Sequence, residues 1–235
     1  MTSCPDRGAR PAEVPAVTVV VVTHNSGDVI AGCLHALPAA LRGVPHEVIV
    51  VDNDSHDDTL AVAAEALPAA VLLPLHSNTG YAAAINAGVE ALGPRDAVLV
   101  LNPDVRLDPG SVLACTRHLG DGVGIVVPAL VDEVGHRQLS QRREPTVGRA
   151  WAEAVLGGDR AARVGLGEMV ADGPSYERET SVDWATGAAM LVSAACLADV
   201  GPMDESFFLY SEETDFCLRS RDRGYDQRLD RGQDP

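Results

Sequence analysis

Between Ala16 and about Leu130, short apolar runs alternate with helix-length amphipathic segments, and few architectures accept that alternation. The runs Val17–Val22, Val48–Val51, Val71–Leu75, Val98–Leu101 and Ile125–Val127 are rich in Val, Ile and Leu, as fully buried strands are. After the first run, Val29, Ile30, Cys33, Leu34, Leu37 and Leu41 recur at helical spacing behind the caps Ser26 and Asp28. Pro38 shortens or kinks that helix. A second helix is predicted from Asp57 to Pro68, and a third from Gly80 to Leu92, stopped by Gly93-Pro94. A fourth takes Asp108 as N-cap and Pro109 as first helical residue, closing near Gly120. The predicted class is α/β, with a mostly parallel central sheet and helices on both faces.

The pattern breaks after Leu130. Residues 132–181 are polar and rich in Gly and Arg, with one short helix expected around Arg149–Leu156, and they read as an insertion or lid. Order returns over Val182–Val192, with a short helix expected after Ser193. Residues 1–15 have no apolar h-region and read as a disordered tail, not a signal peptide. Asp226–Pro235 is charged and lacks an apolar period, so it reads as a frayed tail.

Charge narrows the function. The net charge is −16, and every one of the 18 basic residues is Arg. Nucleic acid, which needs a basic face, is excluded as a partner. Apolar runs this short cannot span a bilayer, which takes about 20 residues. The five cysteines are scattered, without C-x-x-C spacing, and read as reduced, mostly buried thiols in a cytoplasmic protein. An acidic chain that handles an anionic substrate needs a cation or local Arg to do so.

Polar residues gather just past the predicted strands, at the sheet edge where α/β proteins bind ligands. Thr23-His24-Asn25-Ser26-Gly27 ends the first strand, with polar side chains and free backbone N–H groups suited to a base or ribose. Asp52 follows the second strand and can accept from a base imide or a ribose hydroxyl, while Asp54 and Asp57 suit helix capping. Asn78, Gly80 and Asn86 punctuate a small-residue segment that permits close approach. Asn102-Pro103-Asp104 closes the fourth strand, where a carboxylate can hold a divalent cation. Phe207-Phe208-Leu209-Tyr210 then precedes Glu212 and Glu213, an acidic pair whose mutual repulsion and desolvation can produce a general base. On a helix, Glu212, Asp215 and Arg219 share a face suited to an ion pair, which turns Glu213 toward the pocket.

These segments, in this order, resemble a family 2 glycosyltransferase with the GT-A fold, in a rhamnosyltransferase-like branch where N-P-D replaces the usual D-x-D. The carriers are V-T-H-N-S at 22–26, V-D-N-D-S at 51–55, N-T-G-Y-A-A-A-I-N-A-G at 78–88, L-N-P-D at 101–104, T-G-A-A at 186–189 and F-F-L-Y-S-E-E-T-D-F-C-L-R at 207–219. The resemblance covers about residues 16–225. It implies a nucleotide-sugar-binding half at 16–131, the lid at 132–181 and an acceptor and catalytic segment at 182–225. Within it, Thr23, Asn25, Asp52, Asp54, Asn78, Gly80 and Asn102 bind the nucleotide sugar, and Asp104 holds Mg²⁺ or Mn²⁺ under the diphosphate. Glu213, with Glu212 beside it, matches the base that deprotonates the acceptor hydroxyl, which implies inversion at the anomeric carbon.

The implied donor is a nucleoside-diphosphate sugar, rhamnose among the candidates. The implied acceptor is a glycan or lipid-linked hydroxyl in cell-wall or polysaccharide synthesis, in the cytoplasm or at the inner membrane face. The family pattern continues past the acidic motif with another strand and often a metal-binding His, which the residues after 225 do not resemble. A binding-only glycosyltransferase-like module stays open as an alternative. A nucleotidyltransferase is disfavoured, because Thr23–Asp28 holds no basic residue for a phosphate loop.

Overall fold

A computed structural model describes residues 13–132, 134–138, 140–170, 184–185 and 188–230. Seven strands form one sheet: β1 (Val17–Thr23), β2 (His46–Asp52), β3 (Val71–Pro74), β4 (Ala97–Leu101), β5 (Val123–Pro128), β8 (Ala189–Ser193) and β9 (Asp226–Asp230), in the order β3-β2-β1-β4-β8-β5-β9. Pairing is parallel throughout except around β8, which runs antiparallel to both β4 and β5. Every residue of β1 and β4 is buried, because helices cover both faces and leave no solvated side for a polar residue to occupy.

Two apolar layers sandwich the sheet. On one face α1 (Gly27–Ala40) brings Ile30, Leu34 and Leu37 against Val19, Val21 and Leu99. Pro38 lies inside α1, near its end. On the other face α3 (Tyr81–Leu92), α7 (Ala194–Val200) and α8 (Glu212–Asp222) pack Ile85, Cys196 and Phe216 against Val20, Ile49 and Met190. The small-residue segment earns its composition at Gly88, where a Cβ would stand 2.7 Å from Val20 Cγ1 and 2.8 Å from Val51 Cγ2. Helix α2 (Thr59–Ala66) follows β2.

Helix α4 (Ser111–Thr116) starts later than the sequence predicts. Asp108 is not its N-cap. Residues 108–110 form a turn, with Ser111 N–H bonded to Asp108 O, and the left-handed Gly110 (φ 76°) precedes the helix. Gly110 N–H also bonds Ala39 O at the end of α1, a tertiary tie that outweighs the local capping signal.

The insertion carries β6 (Gln141–Arg142), α5 (Val147–Leu156) and α6 (Gly158–Arg163). Thr146 caps α5 by accepting from Arg149 N–H. Strand β6 pairs antiparallel with β7 (Trp184–Ala185), and Trp184 Nε1 donates to Arg143 O at 3.0 Å. The rest of the lid (133, 139 and 171–181) and Thr186-Gly187 of T-G-A-A lie outside the described residues, as do 1–12 of the N-terminal tail.

The expected frayed tail is a correction. Asp226–Asp230 form β9, parallel to β5, with Leu229 fully buried. Its polar residues are satisfied inside the protein: Gln227 Nε2 donates to Cys217 O at 2.7 Å, and Asp230 accepts from Cys115 Sγ. Residues 231–235 lie outside the described residues.

Candidate active site

All the strand ends singled out in the sequence meet at one edge of the sheet. Parallel register sets Thr23 beside Asp52 and Val21 beside Leu101, so the segments after β1, β2 and β4 emerge together. Strand β8 begins at this edge, where Asn102 N–H bonds Ala188 O. The N-termini of α3 and α8 also open here, since Tyr81 N–H bonds Phe208 O at 2.9 Å.

The first two turns are stitched together. Asn25 N–H bonds Ser55 Oγ, Ser26 N–H bonds Thr59 Oγ1, and Gly27 N–H bonds Asp57 Oδ2. In return, Asn25 Oδ1 accepts from His56 N–H, and Asn53 O is bonded to His24 Nδ1. The backbone N–H groups expected to be free for a ligand are therefore occupied by the neighbouring turn. Asn25 (φ 51°) and Asp54 (φ 67°) hold left-handed conformations that Asn and Asp tolerate better than most residues. Asp57 accepts from the Thr59 hydroxyl and from the N–H of Thr59 and of Gly27 at the starts of α2 and α1, and these bonds, the hydroxyl's foremost, hold its carboxyl below the usual carboxylate range.

Asp52 is buried, and its carboxylate is already engaged. Oδ1 accepts from Thr23 Oγ1 (2.9 Å) and Ser55 Oγ (2.6 Å), and Oδ2 from Ser55 N–H (3.0 Å). A carboxylate has about four acceptor sites, which leaves Oδ2 capacity for one further donor. Thr23 is itself buried and orients Asp52 from behind.

Asn53 was passed over in the sequence, yet it clamps the next loop. Its Nδ2 donates to Asn78 Oδ1 and Gly80 O, while its Oδ1 accepts from Thr79 N–H. Asn78 Oδ1 also accepts from Gly80 N–H. Gly80 sits at φ 90°, and a Cβ there would lie 2.6 Å from Phe208 O. Only glycine permits this approach of the 77–81 loop to the 207–211 loop.

Tyr81, also missed, is where the site converges. Its hydroxyl donates to Asn102 Oδ1 at 2.6 Å. Burial foremost, then the charges of Glu213, Glu212 and Asp104, raises its pKa far above that of a free tyrosine. A lone Tyr opening an Ala- and Gly-rich helix was the available signal. Asp104 is exposed just past β4. Its charge, behind burial, helps push the Cys33 thiol up to about 12, and Cys33 Sγ lies 3.7 Å from Asn102 O.

Glu212 and Glu213 open α8, where the helix dipole favours negative charge. The ion pair predicted on this helix forms between Asp215 and Arg219 (2.7 Å) without Glu212. Instead Glu212 is 1% exposed, and its Oε2 has no hydrogen-bond partner. The negative charges of both glutamates bear on Tyr81, behind its burial. Ahead of them, Tyr210 (φ 67°) and Ser211 (φ 73°) are consecutive left-handed residues, a strained turn of the kind that clusters at working sites.

Among the described residues, no three His, Cys, Asp or Glu side chains gather as a metal cage. The donor set instead fits a cation held by one protein carboxylate and completed by substrate phosphates, as Mg²⁺ commonly is. Asp104, exposed just past β4, is a carboxylate that could hold such an ion. A cavity of about 300 Å³ lined by Leu37, Pro38, His46 and Val48 lies at the opposite edge of the sheet, away from these groups.

A profile of glycosyl transferase family 2 matches residues 18–186. N-acetylglucosaminyl-diphospho-decaprenol L-rhamnosyltransferase of Mycobacterium tuberculosis is 32% identical over 221 residues, spanning 88% of this chain and 71% of that protein. The low-salt glycan biosynthesis hexosyltransferase Agl10 of Haloferax volcanii is 27% identical over 220 residues, spanning 87% and 61%. Among solved structures, the mannosyltransferase PcManGT of Pyrobaculum calidifontis with GDP-Man and Mn²⁺ superposes with a TM-score of 0.64 at 18% identity. GalNAc-T7 with UDP, GalNAc and Mn²⁺ gives 0.68 at 13%. This chain spans 58% and 43% of the length of those two. The shared fold is GT-A, and the chain belongs to glycosyl transferase family 2.

Proposed function

We propose that the chain transfers a sugar, rhamnose being the leading candidate, from a nucleoside-diphosphate donor to a hydroxyl of a glycan or lipid-linked acceptor, with inversion. The carrying observation is that Asp52, the Asn102-Pro103-Asp104 turn and the loop before Glu212 and Glu213 meet at the carboxyl edge of the sheet, with the Tyr81 hydroxyl bonded to Asn102 Oδ1 and its N–H to Phe208 O. The donor's base and ribose are assigned to the cleft of Asp52, Asn25, Asp54 and Asn78, with Thr23 orienting Asp52. Asn102, fixed by Tyr81, and Asp104 stand where the diphosphate would lie. Divalent Mg²⁺ or Mn²⁺ on Asp104 would neutralise the departing diphosphate. Glu213 accepts the acceptor's proton, with the buried Glu212 beside it at the start of α8.

The relatives support this reading. The mycobacterial protein's name specifies rhamnose transfer to a diphospho-decaprenol lipid, and the haloarchaeal one glycan assembly. The place of action is then the cytoplasmic face of a membrane carrying lipid-linked acceptors. Among the described residues no helix is long and apolar enough to cross that membrane. Sugar nucleotides screened with and without Mn²⁺ for binding and for transfer test the reading. Binding and transfer of a deoxyhexose are expected; binding without turnover on any acceptor would make the chain a binding module and overturn the enzymatic assignment.

A further inference from the structure

Helix α5 is amphipathic the wrong way round for a water-soluble surface. Val147, Trp151 and Val155 follow at i, i+4 and i+8 along one stripe, and all three face solvent, Trp151 with 68% of its surface exposed. The polar side of the helix turns inward: Glu153 Oε1 accepts from Glu168 N–H at 2.7 Å, and Arg149 Nε is shielded from water. No residue of α5 is buried. Val164 and Leu166, just beyond α6, are exposed as well. Exposed apolar residues this concentrated mark a surface that is covered in use.

Charge decides what covers it. Among residues 137–166 the exposed charged residues are Arg137, Arg160 and Arg163 against Asp159, a local surface excess of two positive charges in a chain of net −16. Arg160 and Arg163 are exposed on α6, which packs against α5. Tryptophan and valine on one face with arginines flanking them is the composition of helices that lie in an anionic lipid interface. A second copy of the chain fits less well. A ten-residue helix is about 15 Å long and about 10 Å across, and one such face falls well short of the ~800 Å² per partner that stable dimers bury.

We propose that the outward face of α5, with Arg160 and Arg163, docks the protein onto an anionic lipid surface. The acidic remainder of the molecule is repelled by the same surface, so attraction and repulsion together fix which side faces the lipid. The inference rests on the membrane-side placement proposed above, but its readout is lipid binding, so it fails separately from sugar transfer.

The test is flotation of the full chain with phosphatidylcholine vesicles, with and without phosphatidylglycerol and without any sugar acceptor. The chain should float with the phosphatidylglycerol vesicles and lose that association in high salt. Trp151→Glu should weaken it by about tenfold or more, with an unchanged melting temperature, since the side chain packs little against the fold. Arg160→Glu with Arg163→Glu should remove the preference for anionic over neutral lipid. Failure of the wild type to float, or flotation of Trp151→Glu equal to wild type, overturns the proposal. So does a dimer that Trp151→Glu dissociates in the absence of lipid binding, which would assign the face to a second copy.

Discussion

Tyr81 ties the end of β4 to the loop before α8, its hydroxyl bonding Asn102 Oδ1 and its N–H bonding Phe208 O, so the residues around it should respond as a set. Glu213→Gln keeps the shape but removes the proton acceptor, and transfer should fall by about 10²–10⁴-fold while donor affinity, measured by titration calorimetry, persists. Glu212→Gln should cost less; if it were the dead variant and Glu213→Gln the active one, the two roles would exchange. Asp52→Asn replaces one acceptor oxygen with a donor that faces donors Asp52 already serves, the Ser55 N–H and the Thr23 and Ser55 hydroxyls. It should weaken nucleoside binding and also lower unfolding free energy, each by about 1–3 kcal/mol, the cost of a buried group left unpaired. Cys33 supplies a pH dependence. Its thiol rises from 9.0 to about 12 on folding, so the stability tied to its neutral form is complete below pH 9 and is lost as pH climbs toward 12. Denaturant titrations between those limits should show a shallower alkaline decline in Cys33→Ala than in wild type.

At the scale of elements, β1, β2, β4 and α1 to α3 were legible because periodicity and burial agree there, whereas β3, whose apolar run reads as fully buried, is an edge strand with Val71 exposed. Gly88 was read as a place of close approach, and Gly88→Ala should cost about 1–3 kcal/mol in thermal or urea unfolding, because two valines of a filled sheet would have to move. Strand β9 escaped notice for a definite reason. Asp-Gln-Arg-Leu-Asp has no apolar alternation, and its polar residues enter the interior by bonding Cys217 O and Cys115 Sγ, partners that no local pattern reveals. Leu229→Ala should therefore destabilise like any core truncation, by about 2–5 kcal/mol. The start of α4 was missed because the Gly110–Ala39 bond is tertiary. In the site, the carboxylates stood out as residue types at strand ends. Asn53 and Tyr81 did not, since each works through partners 21 to 27 residues away in sequence.

For the molecule as a whole, the net charge of −16 opposes a diphosphate ligand, so donor binding should depend on a divalent ion. Nucleoside diphosphates with Mn²⁺ should raise the melting temperature, and the same ligands in EDTA or with Asp104→Ala should not. An equal shift with and without the ion would sink the metal assignment. The sheet's wiring also sets a timetable for synthesis. Strand β5 ends at Pro128, yet both of its partners, β8 and β9, come from Ala189 onward. On the ribosome this wholly apolar strand must wait for roughly 60 more residues, about 3–12 s at 5–20 residues per second. During that interval β4 and β5 each present a bare edge, the kind that recruits another nascent chain or a chaperone. Ribosome-stalled chains ending before Ala189 should bind holdase chaperones and resist forming protease-stable structure, whereas chains extended past Asp230 should not.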